Sequence, residues 1–205
     1  MRKYLFSSPR VLILGVLLSL LGAVPAQAAT APGYRETSAC EAGSFSQPFQ
    51  QYRDSNWYTL LAGQSAEGGF GGQGWTLSGG ASVLSARLPG GGTGQVLNLP
   101  SGSQAVSPVV CITSEYPTAR AYVDDVKGSE GVSFYVSYEA TRTWELPKNT
   151  GQIHGGSGSW APSGAVNLQP ERTTGWQPVR ITLRPGGKTS LFQVYDLYLD
   201  PRLSH

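Results

Sequence analysis

A two-residue alternation of apolar and polar side chains, repeated in short runs, leaves this chain few folds other than β. From Gly131 to Ala140, Val132, Phe134, Val136 and Tyr138 fall on one side, and Ser133, Tyr135, Ser137 and Glu139 on the other. From Gln177 to Arg184, Val179, Ile181 and Leu183 alternate with Arg180, Thr182 and Arg184. From Ala119 to Val126, Ala121 and Val123 alternate with Arg120, Tyr122 and Asp124. Successive strand side chains point to opposite faces, so each run predicts one face packed inward and one left for solvent or a ligand. Further candidate strands are 57–61, 75–78, 81–88, 95–99, 104–112, 143–146, 165–168 and 190–199. In the last of these the inward phase slips between Val194 and Leu197, which predicts a bulge near Tyr195-Asp196. Lys127-Gly128-Ser129-Glu130 reads as a hairpin turn. The chain holds 27 glycines in 205 residues. They sit between the periodic runs, which favours turns over low complexity. The expected fold is an all-β antiparallel sandwich, jelly-roll in style, of about eight to ten strands. Trp57, Trp75 and Tyr138 are expected in its core.

The N-terminus follows a different rule. Arg2, Lys3 and Arg10 precede a nearly unbroken apolar stretch from Val11 to Leu21, followed by Ala26-Gln27-Ala28. Basic, apolar and small residues in that order predict an export signal over residues 1–28. The apolar stretch falls short of the roughly 20 residues that span a bilayer. A loose lead-in at 29–39 and one domain over 40–205 are expected, secreted and free of the membrane. No cysteine stands at the cleavage point for lipid attachment. The wall-anchor look-alike Leu146-Pro147-Lys148-Asn149-Thr150-Gly151 lacks the sortase spacing and the apolar segment and basic tail that should follow.

Removing the signal takes Lys plus Arg from 15 to 12 against 13 acids, so the formal charge moves from +2 to −1. A near-neutral chain without a basic block argues against nucleic acid as a partner. Cys40 and Cys111 lie in the exported part, where a pair predicts a disulfide. Closing about 70 residues, it would stabilise by roughly 4 kcal/mol on the chain-entropy model.

The stretches Trp75-Thr76-Leu77-Ser78-Gly79-Gly80-Ala81, Leu97-Asn98-Leu99-Pro100-Ser101-Gly102, Ser107-Pro108-Val109-Val110-Cys111 and Asp196-Leu197-Tyr198-Leu199-Asp200-Pro201 occur in this order after Cys40. Together they resemble a group of small secreted actinobacterial proteins. Those are similar in outline to jelly-roll domains of the galactose-binding type, which include many carbohydrate-binding modules. The resemblance implies a sandwich with a glycan-binding surface. Related jelly rolls carry Tyr-Arg-Glu surfaces in their sugar grooves. Such modules often have an acidic pair before the last strand, where this chain has Tyr195-Asp196, so a structural calcium there is without support.

Catalytic chemistry finds little purchase. General acid–base catalysis uses His or carboxylates at a set separation. His154 lies in a glycine-rich loop and His205 at the C-terminus. No Gly-x-Ser-x-Gly elbow can be assembled. Asp124, Asp125, Glu139, Glu145 and Glu171 leave a glycosidase reading open, and no acidic loop has the spacing of a calcium site. No cofactor is implied.

The aromatic residues are more informative. Trp144, Trp160 and Trp176 border a region rich in Gly, Ser, Pro and Thr. Sugar rings stack their C–H faces on indoles, while Arg, amides and acids bond the hydroxyls. If the runs at 119–126, 131–140 and 177–184 share one sheet, Arg120, Tyr122, Tyr135, Glu139, Arg180 and Arg184 share its outer surface. The same residues also suit an ordinary solvated sheet face. The leading expectation is a monomeric, non-catalytic extracellular domain binding carbohydrate or a cell-wall polymer. The alternatives are an adhesive surface protein acting through protein contacts and, third, a polysaccharide-degrading enzyme.

Overall fold

A computed structural model describes residues 45–61, 70–72, 74–139, 143–171 and 175–200. The expected export signal, the lead-in, Cys40 and His205 lie outside the described residues. Among those described, no helix is long and apolar enough to cross a membrane.

The chain runs through β1 (Phe45–Ser46), a single 3-10 turn (Gln50–Tyr52), β2 (Tyr58–Leu60), β3 (Thr76–Ser78), β4 (Ser82–Arg87), β5 (Thr93–Pro100), β6 (Gln104–Val106) and β7 (Val110–Ile112). It continues through β8 (Thr118–Lys127), β9 (Val132–Tyr138), β10 (Lys148–Ile153), β11 (Gly156–Ser157), β12 (Trp160–Pro162), β13 (Val166–Asn167), β14 (Gln177–Pro185) and β15 (Leu191–Asp200). These form a nine-stranded and a six-stranded sheet. All pairings are antiparallel except the two-residue contact of β11 with β8.

Each sheet is organised on one long strand. In the nine-stranded sheet, β15 pairs along one edge with β8. Its other edge is shared by β5, opposite Leu191 to Val194, and β2, opposite Tyr198 and Leu199. The six-stranded sheet repeats the arrangement: β14 pairs with β9 on one side and with β6 and β7 on the other. Strands β7, β8 and β9 alternate between the two sheets, as do β13, β14 and β15. This is the wiring of a jelly roll. It also corrects the expected hairpin at Lys127–Glu130. That segment joins β8 to β9, which belong to different sheets, and is an inter-sheet crossover.

The alternation read from the sequence sets the inner faces. Ala119, Ala121 and Val123 of β8, Val132, Phe134, Val136 and Tyr138 of β9, and Val179, Ile181 and Leu183 of β14 are all in one core. Each large apolar side chain fully buried there contributes about 1.5–3 kcal/mol. The predicted bulge in β15 is present: the register shifts between Tyr195 and Leu197, and Asp196 takes φ 47°. It allows Phe192 and Val194, then Leu197 and Leu199, to face inward together.

Three local expectations need revision. The run 104–112 is two strands, because Pro108 has no N–H for a ladder. Ser107 spans the break: its N–H donates to Ile181 O at 2.8 Å and its hydroxyl accepts from Ile181 N at 2.9 Å. The run 143–146 is no strand, and only Trp144 forms a bridge, to Glu139. Trp75 is in the core, whereas Trp57 is half-buried.

Candidate functional site

The outward face of β8 is covered. Residues 47–58 fold over it, so Phe49, Tyr58, Tyr122 and Tyr198 form a second apolar cluster, with Trp160 and Tyr195 packed at its margin. Phe49 is its centre, with ring centroids 5.0 Å from Tyr58, 5.1 Å from Tyr122 and 5.7 Å from Tyr198. The Tyr122 hydroxyl donates to Pro48 O at 2.7 Å. Arg120 is held from four directions. It pairs with Asp54, donates to the Tyr58 oxygen at 3.0 Å and to Ser163 O at 2.9 Å, and stacks 4.5 Å above Phe49. Arg120 and Tyr122 therefore close a packed layer. Burial, then the nearby Asp196 carboxylate, pushes the Tyr195 hydroxyl up to about 12 and raises Tyr198 further.

Beyond this cluster the same face opens into a pocket of about 440 Å³, within the range of small-ligand sites. Its position follows from the strand register. Trp160 on β12 lies opposite Asp124 on β8, and Asp124 opposite Gln193 on β15. These three residues line the pocket together with Ser159, Arg87 and the Leu88-Pro89 tip of the β4–β5 connection. Trp160 is fixed at two points. Its indole N–H donates to Arg87 O at 2.6 Å, and its ring meets Tyr195 edge-on with centroids 6.2 Å apart. The turn before Trp160 needs Gly158 at φ 62°. Its N–H donates to Asp125 O at 3.0 Å.

Asp124 is the unusual group. Its Oδ1 is buried and has no hydrogen-bond partner among the described residues. Burial, and secondarily the Asp125 charge, raises its carboxyl above the ordinary value of 3.8. Asp125 differs: it accepts the Gly155 N–H at 3.1 Å. The pocket thus combines an indole, a carboxylate lacking a donor, an amide, a hydroxyl and a guanidinium. That set can bind a polyhydroxylated ring.

The outer face of the six-stranded sheet carries the other predicted residues. Tyr135, Glu139 and Arg180 are here, so they share a sheet with one another but not with Arg120 and Tyr122. The three runs do not lie in one sheet, because crossovers at 113–117 and 128–131 carry the chain between layers. Arg180 stacks 4.3 Å over Trp144, and Arg184 4.6 Å over Tyr135. Arg184 also donates to Gln104 Oε1 at 3.2 Å.

The three tryptophans do not form one platform. Trp144 belongs to the six-stranded face and Trp160 to the pocket on the opposite sheet. Trp176 is buried, stacked 5.7 Å from Tyr116. Its place beside a glycine gave no sign of this in the sequence; the partner ring is 60 residues away in the chain. The pocket residues Arg87, Ser159 and Gln193 also escaped sequence reasoning, because only the long-range register brings them together.

His154 is exposed on its loop. Cys111 is not a free thiol. Among the described residues, no group of three or more His, Cys, Asp or Glu side chains is arranged to hold a metal ion.

No protein-family model matches the chain, and no curated protein matches it at a significant level. Among solved structures, it is similar to a family 6 carbohydrate-binding module from Clostridium cellulolyticum in complex with xylose. The identity is 15%, over 58% of this chain and 87% of that one, with a TM-score of 0.37. A family 11 carbohydrate-binding module from Clostridium thermocellum, in complex with a β-1,3-1,4-mixed-linked tetrasaccharide, is 13% identical over 65% of this chain and 92% of that one, with a TM-score of 0.37. The C-terminal family 22 module of Clostridium thermocellum Xyn10B is 15% identical over 63% of this chain and 86% of that one, with a TM-score of 0.40.

Proposed function

We propose that this protein is a secreted, non-catalytic carbohydrate-binding domain whose ligand enters the pocket lined by Trp160, Asp124 and Gln193. One observation carries the reading. An indole anchored through its N–H stands in the same cross-strand row as a carboxylate with an unpartnered buried oxygen and a neutral amide. A sugar supplies what each lacks: an apolar C–H face for Trp160, a hydroxyl donor for Asp124, and a donor–acceptor pair for Gln193. Arg87 and Ser159 bond further hydroxyls at the rim. The Cys40–Cys111 disulfide and the cleaved signal belong to the same reading, since an exported chain with two cysteines pairs them.

The test is titration of the secreted chain against soluble neutral oligosaccharides of xylose, glucose and mannose. Binding by at least one is expected, with Trp160→Ala and Gln193→Ala each weakening it tenfold or more while thermal unfolding stays cooperative. A folded protein that binds no member of the panel, yet adheres to cells regardless of added sugar, would replace this reading with protein-mediated adhesion.

A further inference from the structure

We infer that the outer face of the six-stranded sheet is a second binding surface, for an anionic polysaccharide whose acidic groups are held by Arg180 and Arg184. This does not rest on the reading of the pocket, which lies on the opposite sheet. Arg180 and Arg184 are both exposed, on the same face of β14 and four residues apart, which places their backbones about 13 Å apart along the strand. Each guanidinium lies over an aromatic ring, Arg180 over Trp144 and Arg184 over Tyr135. The ring contact holds each group in place and leaves N–H donors that can meet a carboxylate or sulfate in paired fashion.

Charge complementarity selects the occupant. Neither arginine forms an ion pair among the described residues, although the chain pairs its other nearby cation: Lys148 meets both Glu145 and Glu171. Glu139 borders the face and lies beyond ion-pair distance of both arginines. Two positive groups outside any ion pair thus stand on this face, with Glu139 at its border and uncharged side chains beside Arg184. Those nearest are Gln104, which accepts from Arg184, and Gln152, whose amide donates to Ser133 at 3.0 Å. Two guanidiniums spaced along β14, with amides flanking Arg184 across the strands, match a polymer bearing acidic groups on a hydroxyl-rich backbone.

The experiment compares the secreted chain with its R180Q/R184Q and W160A variants. The probes are polygalacturonate, dextran sulfate, neutral dextran and poly-L-glutamate, each across a salt series. The wild-type chain should bind polygalacturonate or dextran sulfate, and whichever binds more tightly identifies the acidic group as carboxylate or sulfate. R180Q/R184Q should lose tenfold or more of that affinity, with a salt slope shallower by about one to two. W160A should leave it unchanged, which separates this surface from the pocket. Both arginines are exposed, so the double variant should keep the wild-type melting temperature. Polyanion binding undiminished in R180Q/R184Q, no binding of either acidic polysaccharide by the wild type, or equal binding of poly-L-glutamate would each overturn the proposal.

Discussion

Arg120 on β8 and Asp54 in the segment that folds over it form an ion pair across the boundary between sheet and cover. The side chains are only 17% and 19% exposed, and the Tyr58 hydroxyl donates to the same carboxylate oxygen at 2.5 Å. The pair clamps residues 47–58 onto the aromatic cluster around Phe49. Arg120→Ala leaves Asp54 and Tyr58 short of a partner and removes the guanidinium stacked on Phe49. It should destabilise the protein by about 3 kcal/mol. Differential scanning calorimetry should show a melting temperature lower by about 6–12 °C.

Tyr138 has a smaller effect of a different kind. Its hydroxyl lies buried, 2.8 Å from the carbonyl oxygens of both Leu168 and Gln169. It thereby ties the six-stranded sheet to the chain leaving β13. Tyr138→Phe keeps the ring and strips these carbonyls of their donor, at about 1–2 kcal/mol. Urea denaturation should record a lower midpoint with an unchanged slope.

Asp124 gives a pH dependence with a definite sign. Its folded-state pKa is raised above 3.8, so the folded protein holds this proton more tightly than the unfolded chain does. Stability from this group is therefore fully present below 3.8 and is lost as pH rises through the raised value. Asp124→Asn removes the ionisation. The variant should melt at a higher temperature than the wild type at pH 7, and the two melting curves should converge as the pH is lowered toward 3. A wild type more stable than the variant at pH 7 would contradict the burial argument.

Gly155 sits where no side chain fits. A Cβ there would come within 2.0 Å of Val123 O and 2.3 Å of Val123 C, both backbone atoms of β8. Gly155→Ala must push β11 away from β8 and displace the turn that carries Ser159 and Trp160. A loss of about 3 kcal/mol is expected, and fluorescence of Trp160 should shift as its contact with Tyr195 loosens.

The residues show which parts of this structure a sequence can reveal. Alternation placed Val132 to Tyr138 and Val179 to Leu183 inward, and the phase slip in the last run located the bulge at Asp196. Those are local properties of a strand with one buried face. Sheet membership is not local. Tyr122 has the outward phase and is still buried, because residues 47–58 return to cover it. Strand β10, Lys148–Ile153, has no alternation to read and is held by pairing with β9. Trp160 was a candidate by composition alone, and its neighbours Asp124 and Gln193 became legible only through the register of three strands.

Strand β15 is the last of the described strands, yet it lies between β8 and the β2 and β5 edge. Until residues 191–200 are available, β8 on one side and β2 and β5 on the other have nothing to join them, and half the sandwich stays open. The nine-stranded sheet is therefore completed last, by contacts that reach back 64 to 140 residues, and long-range pairing of this kind folds slowly. Such wiring acts as a timer: compaction of this half of the sandwich waits until residues 191–200 have been made.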